Sequence, residues 1–91
     1  MNYKVIFKTS AIDFLEKADF SVRKRLYAWV KKNLENCDDP TSKGTLLKGE
    51  WGGLWRYRVG DYRLIAKIDK KEVTILIIKI GHRKDIYTLK R

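Results

Sequence analysis

The chain opens on an alternating run, Tyr3-Lys4-Val5-Ile6-Phe7-Lys8, with Tyr3, Val5 and Phe7 on one side. That period of two predicts a strand. Ser10-Ala11-Ile12-Asp13 has the form of a capping box and predicts a short helix through about Ala18, with Ile12, Phe14 and Leu15 as its apolar positions. Ser21 is the candidate N-cap of a second helix, in which Val22, Leu26, Trp29, Val30 and Leu34 recur at helical spacing. Arg23, Lys24, Lys31 and Lys32 lie away from that stripe. Asn36-Cys37-Asp38-Asp39-Pro40 ends it, because a proline disfavours helical geometry in the residue before it. Residues 37–53 read as a long ordered loop.

From Leu54 the period returns to two. Trp55, Tyr57 and Val59 alternate with Leu54, Arg56 and Arg58, and Gly60-Asp61 predicts a two-residue hairpin turn into Tyr62–Ile68. Asp69-Lys70-Lys71-Glu72 makes a second turn. Val73–Ile80, interrupted only by Thr74 and Lys79, predicts a central strand covered on both faces, ended by Gly81. The order β-α-α-β-β-β implies one compact α+β domain over 1–91. Its sheet is mainly antiparallel and twisted, with two N-terminal helices packed on one face. The first strand can pair with any free edge.

Composition narrows the function. Lys and Arg number 21 against 11 Asp and Glu, a formal charge of +10, and apolar types make up 44%, too many for a disordered chain. No apolar run is long enough to span a membrane, and Met1-Asn2-Tyr3-Lys4-Val5 lacks a signal peptide's apolar stretch, so a cytoplasmic protein is expected. A single cysteine (Cys37) and a single histidine (His82) argue against a disulfide, a metal site or a cofactor held by such ligands. The surplus charge favours a polyanionic partner. It is uneven: residues 46–91 carry twelve cations against five carboxylates and five of the seven arginines. Arginine, with its planar fork, suggests phosphate recognition.

The hairpin places those arginines. With Gly60-Asp61 as the turn, Arg58 opposes Arg63 and Arg56 opposes Ile65. Trp55, Tyr57, Val59, Tyr62 and Leu64 then face the helices, while Arg56, Arg58 and Arg63 share the other face. Like charges opposed across a ladder repel, and a phosphate would relieve them. Glu50, Asp61 or solvent could do so instead. Beyond the last strand, His82, Arg83, Lys84 and Tyr87 add cations and an aromatic, the pairing that single-stranded nucleic acid uses for clamping and stacking. Read singly, Tyr87 is a packed amphipathic side chain, Trp51 and Trp55 are core, His82 is a surface histidine and Cys37 is inert.

Three segments carry a family resemblance: Leu47-Lys48-Gly49, Trp55-Arg56-Tyr57-Arg58-Val59-Gly60-Asp61-Tyr62-Arg63-Leu64-Ile65, and Ile80-Gly81-His82-Arg83-Lys84-Asp85-Ile86-Tyr87. Together they resemble the RelE branch of the RelE/ParE toxin superfamily. The resemblance implies a toxin of a type II toxin–antitoxin pair, neutralised by a RelB-like antitoxin. Toxins like RelE enter the ribosomal A site, against ribosomal RNA, and cut mRNA there; those like ParE inhibit DNA gyrase. It also implies site residues: Arg56, Arg58, Arg63, Arg83 and Tyr87 as catalytic, and Arg56, Arg58, Arg63, Lys84 and Tyr87 as RNA-binding. Arg58 and Arg63 would hold the phosphate, Arg83 would lie near the leaving oxygen, and Tyr87 would stack on a base. No cofactor or metal is implied.

The chain departs from the family at one point. Members can carry lysines where Arg56 and Arg58 stand, and a lysine can lose its proton where an arginine cannot. His82, or more weakly Glu50, is then the alternative proton acceptor. Two rival readings remain: a ParE-like gyrase inhibitor, in which Tyr87 has no evident role, and a relic that binds RNA without cutting it.

Overall fold

The computed structural model describes residues 2–87. Strand β1 (Lys4–Phe7) leads into helices α1 (Thr9–Lys17) and α2 (Phe20–Asn33). Strands β2 (Gly44–Leu46), β3 (Trp55–Val59), β4 (Tyr62–Asp69) and β5 (Thr74–His82) follow, with a single 3-10 turn at Gly49–Trp51 before β3. The five strands form one sheet in the order β1-β5-β4-β3-β2. Strand β1 pairs parallel to β5, and the other three pairings are antiparallel. This is the α+β architecture expected, and it settles which edge β1 takes: Lys4–Phe7 lie along Thr74–Ile77.

Three details differ from the expectation. The segment 37–53 contains β2, which pairs Gly44–Leu46 with Tyr57–Trp55. Both helices start earlier than their serines suggest. Helix α1 begins at Thr9 with Lys8 at its N-cap, and α2 at Phe20 with Asp19, neither capped by a side chain. The Ser10 hydroxyl instead donates to the Ile78 carbonyl of β5 at 2.6 Å, tying α1 to the sheet. Finally, β5 does not stop at Gly81 but runs on through His82.

The main core lies between the helices and one face of the sheet. Leu26, Val30 and Leu34 of the helical stripe are buried there with Leu15, Tyr57, Val59, Leu64, Ile75, Ile77 and Ile80, and Trp55 and Tyr62 pack against them. Strand β5 reaches this arrangement through a bulge: Ile65 pairs with Lys79 but the adjacent Ala66 pairs with Ile77, leaving Ile78 as the extra residue. One inserted residue reverses which side each later residue faces. Ile75 and Ile77 before it and Ile80 after it thus all reach the main core, and Lys79 shares the opposite face with Ile65.

That opposite face carries a second, smaller cluster: Leu54, Ile65 and Ile86 are buried, with Leu47, Trp51 and Ile78 packed around them. So the C-terminal half of β5 is covered on both sides, while Thr74 and Leu76 nearer its start stay half-buried on the outer face. The loop after α2 is held by Tyr57, whose hydroxyl donates to the Pro40 carbonyl. Among the described residues no helix is long and apolar enough to cross a membrane.

Candidate functional site

The hairpin register places Arg58 directly opposite Arg63, and Arg56 opposite Ile65. On its other side Arg63 pairs with Gly81. Arg56, Arg58 and Arg63 therefore share the face turned away from the helices. Arg63 is half-buried and donates from one guanidinium nitrogen to the carbonyls of Gly60 and Tyr62, both at 2.9 Å. These acceptors fix the side chain without neutralising it. Loss of hydration pushes the Arg63 guanidinium below its ordinary value, and the charges of Arg58, Arg56 and Arg83 add to the effect. Arg63 thus lies near enough to the other three arginines to feel the charge of each.

Arg83 reaches the cluster from just beyond β5. Its backbone N–H donates to the Asp61 carbonyl at 2.8 Å, and its Nε lies 3.8 Å from the Asp61 carboxylate. Both side chains are more than half exposed, so this long pair holds Arg83 only loosely. Of the two carboxylates that sequence suggested as neutralisers, Asp61 meets Arg83, and Glu50 sits in the 3-10 turn beside Trp51.

Tyr87 arrives by a tight turn. The N–H groups of Asp85 and Ile86 donate to the His82 carbonyl at 2.9 and 3.0 Å, which folds Ile86 back into the second cluster. Gly81 makes room for it, since a Cβ at that position would lie 3.1 Å from the Ile86 Cδ1. The next residue, Tyr87, then reaches the arginines: its hydroxyl accepts from an Arg56 guanidinium nitrogen at 3.2 Å. The Arg56 Nε–H is buried and has no acceptor among the described residues. Tyr87 stays 43% exposed, with surface to offer a ligand.

Two side chains support Tyr87 that sequence did not single out for this role. The Trp51 ring meets it edge to face, centroids 5.6 Å apart. Beneath Trp51, the Lys79 ammonium lies 4.7 Å from the indole centroid. Lys79 is buried, and loss of hydration pushes its ammonium below the ordinary lysine value. The visible signal was a lone cation in an otherwise apolar strand.

His82 is placed elsewhere. It pairs with Tyr62, whose ring it meets at 5.6 Å, and Tyr62 in turn packs on Phe14 of α1. The imidazole therefore lies on the helix side of the sheet, and its Nδ1 accepts from the Lys84 N–H at 3.2 Å. Lys84 itself is exposed beside Arg83. Among the described residues no three His, Cys, Asp or Glu side chains gather to hold a metal ion. What the face offers chemically is a set of closely spaced cations, of which Arg63 is held in place by two carbonyls, with an exposed aromatic at one border. That suits an oxyanion joined to a flat ring, as in a nucleotide.

Known proteins resemble this chain in sequence and in fold. Residues 5–87 match the family model described as the ParE toxin of type II toxin–antitoxin systems. The chain is 32% identical over 87 residues to Toxin RelG of Mycobacterium tuberculosis (strain ATCC 25618 / H37Rv), covering 96% of this chain and 98% of that one. Among solved structures it resembles the toxin–antitoxin complex RelBE2 from Mycobacterium tuberculosis, with a TM-score of 0.82 and 29% identity over 91% of this chain and 100% of the other. It also resembles the archaeal RelE–RelB complex from Pyrococcus horikoshii OT3, with a TM-score of 0.71 and 25% identity over 91% and 97% of the two chains. On this evidence the chain belongs to the ParE toxin family within the RelE/ParE superfamily, and is a toxin of the type II toxin–antitoxin class.

Proposed function

We propose that this toxin is a ribosome-dependent endoribonuclease of the RelE kind, which cleaves mRNA in the A site and is silenced by a RelB-like antitoxin. The observation that carries the reading is that Arg56, Arg58 and Arg63 share one sheet face, with Tyr87 hydrogen-bonded to Arg56 at its border and Arg83 near enough to add its charge to the effect on Arg63. In the reaction a ribose 2′-oxygen attacks its own 3′-phosphorus. The 2′-O–P bond forms, the P–O5′ bond breaks, and the proton lost by the 2′-hydroxyl is matched by one gained at the 5′-oxygen. The products are a 2′,3′-cyclic phosphate and a 5′-hydroxyl.

The arginines would act on the charge that builds up on phosphorus. Arg63, held by two carbonyls, and Arg58, directly across the ladder, hold the non-bridging oxygens. Arg83, on its loose tether to Asp61, lies at the leaving oxygen. The Nε–H of Arg56 is a further donor without an acceptor among the described residues, and Tyr87 stacks on a base to align the 2′-oxygen in line. Arginine does not surrender its proton, so no guanidinium serves as the base. With His82 turned to the helix side, the catalysis rests on charge stabilisation and alignment, and the ribosome holds the strand. A slow enzyme away from the ribosome is the consequence.

The test is to express the chain alone, map mRNA 5′ ends on translating ribosomes and assay DNA supercoiling in parallel. Cleavage within A-site codons supports the proposal, as does its loss in Arg63→Ala and Arg83→Ala variants that keep the wild-type melting temperature. Lost supercoiling activity with intact mRNA would instead establish gyrase inhibition, the reading that the match to a ParE toxin model favours. RNA binding without either effect would identify a non-cleaving relic.

A further inference from the structure

A second cationic feature adjoins the arginine face, where α2 passes the end of β3. A groove of about 470 Å³ opens there. Arg25, Ala28, Trp29, Lys32 and Asn33 line it from α2, at the helical spacing of a single stripe, and Arg58, Val59 and Gly60 line it from the hairpin. Strand β2 pairs with β3 only as far as Tyr57, so the groove meets the sheet where its edge is open.

Three of the eight lining residues are cations and none is a carboxylate. Arg25, Lys32 and Arg58 are exposed. Gly60, at φ +61°, brings the turn so close to α2 that a Cβ there would lie 2.8 Å from the Arg25 guanidinium. The Asn33 side-chain amide donates to the Trp29 carbonyl at 2.9 Å, anchoring that end of the stripe. Arg58 belongs both to this groove and to the face that opposes Arg63, so the two cationic surfaces are continuous across the hairpin.

We propose that the groove is an accessory site for the phosphodiester backbone of the same RNA strand, seating nucleotides that flank the scissile bond after they cross Arg58. The proposal rests on the RNA-cleaving reading above and extends it. A polyanion is what three converging cations without a carboxylate recognise. An acidic amphipathic helix fits less well, because the only apolar lining is Ala28, Trp29 and the buried Val59, too little for a row of anchors.

The test uses the full chain and single-stranded RNA of increasing length, with 2′-O-methyl riboses so that no cleavage occurs, and reads binding by fluorescence anisotropy across a salt series. Wild type should gain affinity as the strand lengthens beyond the few nucleotides that the arginine face covers. The Arg25→Ala/Lys32→Ala double variant should lose that gain. Its salt dependence should flatten by about 1.4 in the slope of log K against log salt, at roughly 0.7 per lost contact on a single strand. Both residues are exposed, so its melting temperature serves as the control for folding. A double variant with an unchanged length dependence and salt slope overturns the proposal. So does one that binds RNA like wild type but loses its antitoxin, since the groove would then serve an acidic peptide. If Arg63→Ala still cleaves mRNA while the double variant loses the longer strands, the groove stands as an RNA site and the cleavage mechanism falls.

Discussion

The two faces of the sheet are built on opposite terms. Toward the helices, Tyr57, Leu64, Ile75 and Ile77 are wholly buried, and the tyrosine hydroxyl has a partner in Pro40. Away from them, the same strands present Arg56, Arg58 and Arg63, two of which oppose each other directly, beside a small apolar cluster around Ile65 and Ile86. One face is organised for stability. The other carries a like-charge repulsion that stability alone would not select. Neighbouring residues on one strand thus answer to different demands, and substitutions on the two faces should separate cleanly.

The largest effect is expected from Leu64→Ala on the helix face. Leu64 is fully buried, so truncation should cost about 3 kcal/mol of unfolding free energy, read as a lower denaturation midpoint. Cleavage per folded molecule should not change. Its neighbour on the strand, Arg63→Ala, should show the reverse: activity lost and midpoint kept. If Leu64→Ala lowered the activity of the folded fraction as far as Arg63→Ala does, the separation of the faces would be wrong.

Next comes Trp51→Ala, which removes the ring against Tyr87. Trp51 acts through the tyrosine and is therefore a positioning residue. Misplaced stacking should lower the single-turnover cleavage rate about ten- to a hundredfold. Ribosome affinity should stay near wild type, and Trp51→Phe should recover most of the rate. A fall in affinity with an unchanged rate would mean that Trp51 binds the ribosome directly.

A smaller effect, of about 1–2 kcal/mol, is expected from Tyr57→Phe, which leaves the Pro40 carbonyl without its donor. The same residue gives a pH signature. Burial pushes the Tyr57 phenol above its ordinary value, so the folded protein keeps a proton that the unfolded chain gives up near pH 10. Tyr57 thus contributes stability that is full below the unfolded pKa and is lost as pH rises toward the folded one. Denaturation series from pH 8 to 11 should show the wild type declining more steeply than Tyr57→Phe. Parallel curves would mean that the phenol is not sequestered.

How much of this was legible from sequence depends on how local the signal is. Strict alternation across Gly60-Asp61 set both the register and the side on which each arginine lies, because a two-residue turn leaves one pairing. By contrast β2 is only three residues long, too short to show a period. The bulge at Ile78 falls within a run that is apolar on both sides, so alternation there carries no information about facing. Ser10 looked like a cap because its sequence neighbours fit one, yet its hydroxyl serves a carbonyl 68 residues away. The site divides in the same way. Arg56, Arg58 and Arg63 followed from strand parity, whereas Arg83 and Tyr87 stood out only as a cation and an aromatic beyond the last strand, and their specific roles came with the family resemblance. The Trp51–Lys79 support depends on a long-range contact that no spacing encodes. The side taken by His82 became evident only once β5 was seen to continue past Gly81.

The smallest expected effect probes the repulsion itself. Arg58 is exposed and directly opposite Arg63, so replacing it with the β-branched Arg58→Thr removes one like-charge pair from the ladder and keeps a residue suited to a strand. The variant should be more stable than wild type by about 0.5 kcal/mol at low salt, while cleaving mRNA more slowly. Because the two charges are near the surface, added salt should shrink the gain, and at roughly 1 M, where screening acts over about 3 Å, wild type and variant should nearly coincide. A gain that persisted at high salt would point to strand propensity, not charge, as its source. No gain at low salt would mean that the protein already relieves the repulsion internally, and that a bound phosphate is not needed to make the face comfortable.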